Sequence, residues 1–416
     1  MPHACGLDFG TSNSTVGWLR PGQPTLLPLE DGRDSLPSVL FFHAEEPLIR
    51  YGRAALADYL AGYEGRMMRS LKSVLGTSMI EESTELMGRP VPFRDLLAHF
   101  IGELKRRAEA AAGVTFDRAV LGRPVHFIDD DPAADRLAED TLGEIARAAG
   151  FAEIEFQFEP IAAAFNYEAT MTAEALVLVA DIGGGTSDFS LVRLSPDRAN
   201  RADRRDDILA NGGVHLGGTD FDQQLSLATA MPWLGLGGTL RNGKPMPSGY
   251  YFDLAAWHTI NRIYTRKARA HVMDNYRDAA DTAPLDRLLR LIDDRSGHWL
   301  AMQVEEAKIA LSSSEVTEMA MDRIAPGQTL TVSRPAFDAA VEKPVARIEA
   351  AVRALLADAG VAAERVDTVL FTGGSSGVPV LRERLSALLP AARKVEGDRF
   401  GGIGSGLALD ARRKFG

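Results

Sequence analysis

The chain has 416 residues, 45% of them hydrophobic and 25% charged, enough for two or more domains with ample cores and an ordinary globular composition. A net charge of −11 argues against a broad surface for nucleic acid or anionic membrane, since those demand clustered Lys and Arg. The single cysteine, Cys5, excludes an internal disulfide, and no apolar run resembles a signal peptide or spans a bilayer; a soluble cytoplasmic protein is expected.

In chain order, Gly6, Leu7, Asp8, Phe9, Gly10, Thr11, Ser12, Asn13 and Ser14 carry an aspartate and a glycine turn into the alternating segment Thr15 to Leu19, the pattern of a hairpin. Residues Pro21 to Pro37 read as turns, Val39 to Phe42 as a strand and Gly52 to Tyr63 as a helix. The segment Arg66 to Glu82 holds Arg66, Arg69 and Lys72, a basic cluster that by itself reads as a solvated face. Phe93 to Ala112 is the clearest helix, with Phe93, Leu96, Leu97, Phe100, Ile101 and Leu104 on one face and Gly113 as its cap. Ala119 to Leu121 and Val125 to Phe127 bracket a short buried strand with a break. Asp131 reads as an N-cap before Pro132, with a metal site at Asp129 to Asp131 the minor alternative. Glu153 to Glu159 alternates as a half-buried strand that delivers Glu159 to the rim of a cleft, followed by a proline-started helix of small residues.

The apolar run Ala175 to Ala180 leads into Asp181, Ile182, Gly183, Gly184, Gly185, Thr186, Ser187 and Asp188, and then the strand-like Phe189 to Leu194. Three glycines inside β-structure each cost roughly 0.5–1 kcal/mol relative to Ala, so something requires bare backbone there. Successive N–H groups in such a turn form a donor nest that a phosphate can approach without meeting a Cβ. The alternative for this stretch alone is a tight hairpin with no ligand. The Asp8 turn repeats the theme 173 positions earlier, a domain-sized separation. We therefore expect two related lobes, residues 1–175 and 176–416, each giving one phosphate-binding hairpin to a shared cleft. A third glycine turn, Gly373 and Gly374, follows the strand-like Val366 to Thr372. Residues 223–304, with Trp233, Gly235 to Gly238, Trp257 and the helical Leu285 to Arg295, read as an inserted or expanded subdomain. The chain closes with a helix near Pro379 to Leu389, the glycine-rich Gly401 to Gly406 and a basic end.

The eight histidines are scattered with no pair at metal-ligand spacing, Cys5 has no partner motif and no Gly-x-Ser-x-Gly elbow with an ordered triad stands out, which disfavours zinc, thiol and serine-nucleophile chemistry. What remains is phosphate with carboxylates. Phosphoryl transfer asks a protein for backbone donors, magnesium and a group that orients the attacking oxygen. Asp8 and Asp181 suit the metal through water, Glu159 and Asp181 could hold an attacking water, and Thr11 and Thr186 could donate to phosphate oxygens.

The segments Gly6 to Val16, Ala119 to Phe127, Glu159 to Ala164, Asp181 to Ser190, Gly213 to Asp222, Glu305 to Ser314 and Phe371 to Pro379 together resemble the nucleotide-binding domain of the heat-shock protein 70 chaperones, over nearly the whole chain. The segment Val120 to Phe127 and the short length are most similar to the YegD-like branch. The resemblance implies an α/β, two-lobed actin-like ATPase fold of duplicated ribonuclease-H-like domains, binding ATP or ADP with Mg2+. It implies phosphate contacts from Gly10, Thr11, Ser12, Asn13, Gly183, Gly184, Gly185 and Thr186, and places Asp188 with Glu159 near the reacting phosphate. Gly217, Gly218, Glu305, Lys308 and Ser312 would approach ribose and adenine, and Gly373, Gly374 and Ser375 would close the base pocket. Without that pattern Lys308 and Ser312 would pass as surface residues.

The departures matter for mechanism. The family's catalytic lysine aligns with Leu56, so a substitute is expected from Arg66, Arg69 or Lys72. The arginines that flank adenine match Ile309 and Gly377, and an expected aspartate matches Phe400. The chain ends where the family's linker and peptide-binding domain would begin, so peptide clamping of the usual kind is not expected. The expected activity is slow ATP hydrolysis coupled to lobe closure on an unidentified protein partner, with no nucleic acid or membrane partner. The alternatives are a nucleotide-binding scaffold with little hydrolysis, a small-molecule kinase of the same superfamily, and a filament-forming relative.

Overall fold

The computed structural model describes residues 3–46, 48–86, 89–199, 201 and 204–416. They form two compact units, the first comprising Met1–Gly217, Arg347–Ser376 and Leu381–Gly416, the second Gly218–Ala346 with Gly377–Val380.

The first unit holds two five-stranded sheets of the same plan. In one, β1 (His3–Asp8), β2 (Asn13–Gly17) and β3 (Ser35–Pro37) form an antiparallel meander, and β4 (Phe116–Arg123) and β5 (Glu153–Phe158) add in parallel on the other side of β1, giving the order β5-β4-β1-β2-β3. In the other, β6 (Ala175–Ile182), β7 (Ser187–Leu194) and β8 (Ile208–Val214) form the meander, and β9 (Thr368–Thr372) and β10 (Arg393–Glu396) are the parallel pair, giving β8-β7-β6-β9-β10. The duplication inferred from two aspartate turns is thus a duplication of topology. Both central strands are nearly continuous apolar runs because a central strand is covered on both faces; Val177 to Ala180 are fully buried.

Helices fasten one sheet to the other. Beside the small three-stranded sheet of 39–43, 49–51 and 65–69 lies α1 (Gly52–Leu60), and α2 (Phe93–Ala112) and α3 (Pro132–Ala148) cover the first sheet's region. Gly113 ends α2 in the left-handed region at φ 70°, and Asp131 caps α3 by accepting from Ala133 N and Ala134 N, both as the sequence indicates. The helix after the first sheet, α4 (Glu159–Glu168), packs on β6 and β7 of the second. The helix after the second sheet, α7 (Gly402–Phe415), packs on β1 and β4 of the first and against α4.

The glycines read as a closing glycine-rich stretch are the first turns of α7. A Cβ on Gly406 would lie 1.8 Å from Ala162 O of α4, and one on Gly404 would lie 2.2 Å from Thr15 Oγ1. Close approach of backbone to backbone, rather than turn formation, requires them there.

In the second unit, α5 (Gly218–Ala228) packs against α6 (Gly297–Leu311), and strands 316–320 and 329–333 form a hairpin. Within 223–304, Arg287 lies over Trp233 at 4.6 Å and donates to Trp233 O. No helix among the described residues is long and apolar enough to cross a membrane.

Candidate active site

Both hairpin turns lie in the first unit and meet face to face. A Cβ on Gly184 would stand 2.5 Å from Ser12 Oγ, and one on Gly185 would stand 2.9 Å from Thr11 Oγ1. In the first turn, Ser38 Oγ donates to Gly10 O (2.6 Å) and Ser38 N donates to Ser12 O (2.9 Å); Asn13 begins β2. In the second, Gly183 N donates to Thr186 O (2.9 Å). Gly217 closes over this turn, since its Cβ would come within 2.7 Å of the Gly184 carbonyl. The bare backbone demanded at Gly184, Gly185 and Gly217 therefore has a packing reason as well as the one inferred from the sequence.

Around the turns are four buried carboxylates, Asp8, Glu159, Asp181 and Asp188. Asp8 ends β1 and Asp181 is the penultimate residue of β6, Asp188 pairs across from Asp181 in register, and Glu159 opens α4 directly after β5. One cation joins them. Lys72 is buried and its ammonium donates to Glu159 Oε1, 87 positions away.

Lys72, and not the residue at position 56, is thus the side chain that pairs with Glu159. Leu56 lies within α1, which packs on strand 39–43. Of the three substitutes expected, Lys72 pairs with Glu159, Arg66 donates to Glu85 O and Arg69 ends strand 65–69. The chain leaves that strand through Ser70 at φ 60°, a left-handed conformation uncommon for a residue with a Cβ. The next residues form a short 3-10 turn, Leu71–Val74, which carries Lys72 inward.

The electrostatics follow from four carboxyl groups sharing one ammonium out of water. Burial pushes the Asp8 carboxyl up to about 7, the nearby Glu159 charge adds to the rise and Lys72 opposes it. Burial and then Glu159 take Asp188 to about 7, against hydrogen bonds from Thr186 and the Val125 N–H and the charge of Lys72. Asp181 is pushed well above the carboxylate range by burial, then by Glu159, Asp188 and Asp8, with Lys72 opposing. For Lys72 itself burial works against the charge, yet Glu159, Asp8 and Asp188 outweigh it and hold its pKa above the usual lysine value.

Asp181 Oδ1 and Asp188 Oδ2 are buried without a hydrogen-bond partner, and such groups call for a cation, a proton or water. Among the described residues no three acidic, His or Cys side chains converge to ligate one ion directly. The two orphaned carboxylate oxygens fit a hydrated cation, which magnesium commonly is.

The third glycine turn adjoins the same group. Strand β9 runs parallel beside β6 with Thr372 opposite Asp181, and Gly373 follows at φ 80°. A Cβ there would sit 2.4 Å from Ile182 O and 2.6 Å from Asp181 Oδ1, so only glycine fits. Gly374 and the buried Ser375 continue as a short 3-10 turn.

Gly218, Glu305, Lys308 and Ser312 belong to the second unit. Lys308 is buried rather than a surface residue: its ammonium pairs with Asp222 at 2.7 Å and donates to Gly218 O at 3.1 Å. Glu305 and Ser312 are half-buried at helical spacing from it, and Ser312 Oγ donates to Lys308 O. Ile309 is exposed on the same helix. Phe400 is exposed too, and the aspartate of its segment stands two positions earlier: Asp398 Oδ1 accepts from Phe400 N (3.1 Å) and Gly401 N (3.0 Å).

The family model described as Hsp70 protein matches residues 4–230 and 289–409. The unmatched stretch between them falls inside the segment read as an inserted or expanded subdomain. Among curated proteins, the chain is 28% identical to the chaperone protein HscA of Serratia proteamaculans (strain 568) over 98% of its own length and 58% of that protein's. It is 27% identical to the chaperone protein HscA homolog of Bordetella petrii, over 98% of this chain and 57% of that one. The chain thus spans less than three fifths of the relatives it matches. Two sheets of one plan, facing glycine turns and a family match over most of the chain lead to one conclusion: this protein belongs to the Hsp70 family and has its α/β, actin-like ATPase fold.

Proposed function

We propose that this protein binds ATP with magnesium and hydrolyses it slowly to ADP and phosphate, coupling nucleotide state to closure of its lobes on a protein partner. The observation that carries this reading is the buried Lys72–Glu159 pair among Asp8, Asp181 and Asp188, set against two glycine turns.

In this reading the backbone N–H groups of Gly10 to Asn13 and of Gly183 to Thr186 cradle the phosphates, with the Thr11, Ser12 and Thr186 hydroxyls donating to their oxygens. Asp8 and Asp181 hold the ion through water; magnesium, when bound, supplies neutralisation of phosphate charge. Glu159 accepts a hydrogen bond from the attacking water and Lys72, by donating to Glu159, keeps it oriented. Asp188 stands close to the reacting phosphate. Gly217, Gly218, Glu305, Lys308 and Ser312 serve ribose and adenine, and Gly373, Gly374 and Ser375 the base. The lobes are residues 1–175 and 176–416, one sheet in each, with 223–304 as an expanded part of the second. A cytoplasmic setting agrees with the buried, unpaired Cys5, whose thiol burial pushes up to about 12. The chaperone names of the relatives support a protein as partner.

Single-turnover phosphate release from magnesium-ATP tests the reading. Wild type releases phosphate, whereas Glu159→Ala and Lys72→Ala bind ATP and stall. Wild type that binds ATP and releases no phosphate above background would reject hydrolysis and leave a nucleotide-gated scaffold.

A further inference from the structure

Strands β6, β9 and β10 are parallel neighbours, with Asp181 opposite Thr372 and Phe371 opposite Glu396. Their carboxyl ends therefore lie side by side on one edge. Parallel sheets bind ligands in the crevice at that edge. Asp181 stands at the end of β6, Gly373 to Ser375 follow β9, and Gly397 to Phe400 follow β10. At about 4.8 Å per strand, the third of these is roughly 10 Å along the edge from the first. A nucleotide with its phosphates at Asp181 covers that span with its sugar and base.

At the far end of the edge is an aromatic ring with an open face. Phe400 is 56% exposed, where a large apolar side chain is ordinarily covered. Its ring edge lies against the middle turn, because a Cβ on Gly374 would meet Phe400 Cε1 at 3.4 Å. Asp398 pins the backbone beneath it through the N–H groups of Phe400 and Gly401, and Asp398 O accepts from Thr372 Oγ1 at the end of β9 (3.3 Å). The ring is thus presented by a tied turn. Ile309 and Gly377, where flanking arginines are expected from the resemblance, carry no charge.

We infer that Phe400 is the stacking surface for the base of the bound nucleotide and that it makes base recognition aromatic and tolerant of base identity. This rests on the proposed nucleotide site and adds a residue to it. Stacking of a base on an aromatic side chain is sequence-tolerant because every base has a π-face.

The test is titration calorimetry of the full chain with magnesium-ATP and, separately, with magnesium-tripolyphosphate, which has the phosphates and no base. Phe400→Ala should weaken ATP binding about tenfold and leave tripolyphosphate unchanged. Phe400→Trp should retain ATP affinity, with indole emission altered by ATP and not by tripolyphosphate. Unchanged ATP affinity in Phe400→Ala overturns the inference while leaving the nucleotide reading intact. So does an equal loss for both ligands in Phe400→Ala and Phe400→Leu, which marks a general disturbance of the edge. Wild type that binds neither ligand brings down the nucleotide reading, and this inference with it.

Discussion

Replacing Lys72 by Ala leaves Glu159 buried among Asp8, Asp181 and Asp188 with no cation beside it. Two routes give the cost. Removing one partner of a buried ion pair destabilises by about 3–5 kcal/mol. Alternatively the orphaned carboxylate takes up a proton, which from an ordinary Glu value costs about 1.4 kcal/mol per pH unit above about 4.3. That is about 2.3 kcal/mol at pH 6 and about 5 kcal/mol at pH 8, so the routes agree near neutrality. The loss should therefore grow as pH rises, and Glu159→Gln in the same chain should recover most of it. The assay is urea unfolding of wild type, Lys72→Ala, Glu159→Gln and the double variant at pH 6 and pH 8, read as a double-mutant cycle. A pH-independent penalty below about 1 kcal/mol, or turnover surviving in Lys72→Ala, would refute the assignment. Leu56→Ala serves as the contrast; it should cost only the packing of α1 and leave phosphate release intact.

Two further outcomes follow from the same cluster. Asp8 and Asp188, raised to about 7, and Asp181, raised well above the usual value by burial and its neighbours, bind protons more tightly folded than unfolded. Their contribution to stability is full below about pH 4 and is lost as pH rises through about 7. The melting temperature of the nucleotide-free protein should therefore fall between pH 5 and pH 8, less steeply in Asp8→Asn, and magnesium-ATP should flatten the slope; a rise over that window would contradict the carboxylate crowding. Gly373→Ala should lower both the melting temperature and magnesium-ATP affinity, because a Cβ at φ 80° costs about 1–2 kcal/mol and also displaces Asp181; calorimetry showing unchanged affinity would separate that turn from the site.

What the sequence disclosed is what local chemistry encodes. Asp and Gly at the end of an apolar run mark a strand that delivers a carboxylate to a turn, and this can be read twice over at Asp8 and Asp181. Register then carries Asp188 along. The lysine was not legible in the same way, because Lys72 meets Glu159 only through tertiary folding and is aimed by a strained serine rather than by a periodic pattern. Lys308 was hidden for the opposite reason: a lysine on a helix reads as solvated unless its partner Asp222, on another helix, is known. The role of the glycines within 401–406 was not legible because their contacts, with Thr15 and Ala162, lie far away in the chain.

Those last contacts bear on how the molecule comes into being. Strand β1 leaves the ribosome long before α7, which covers it; a Cβ on Gly6 would strike the backbone of Ala408 at 2.3 Å. Roughly 400 residues of synthesis separate the two, which at about 5–20 residues per second is on the order of 20–80 s. Throughout that interval the apolar face of the first sheet is without its native lid. The growing chain must hold that face against premature association, so slowing translation before residue 402 should raise its dependence on chaperones during birth.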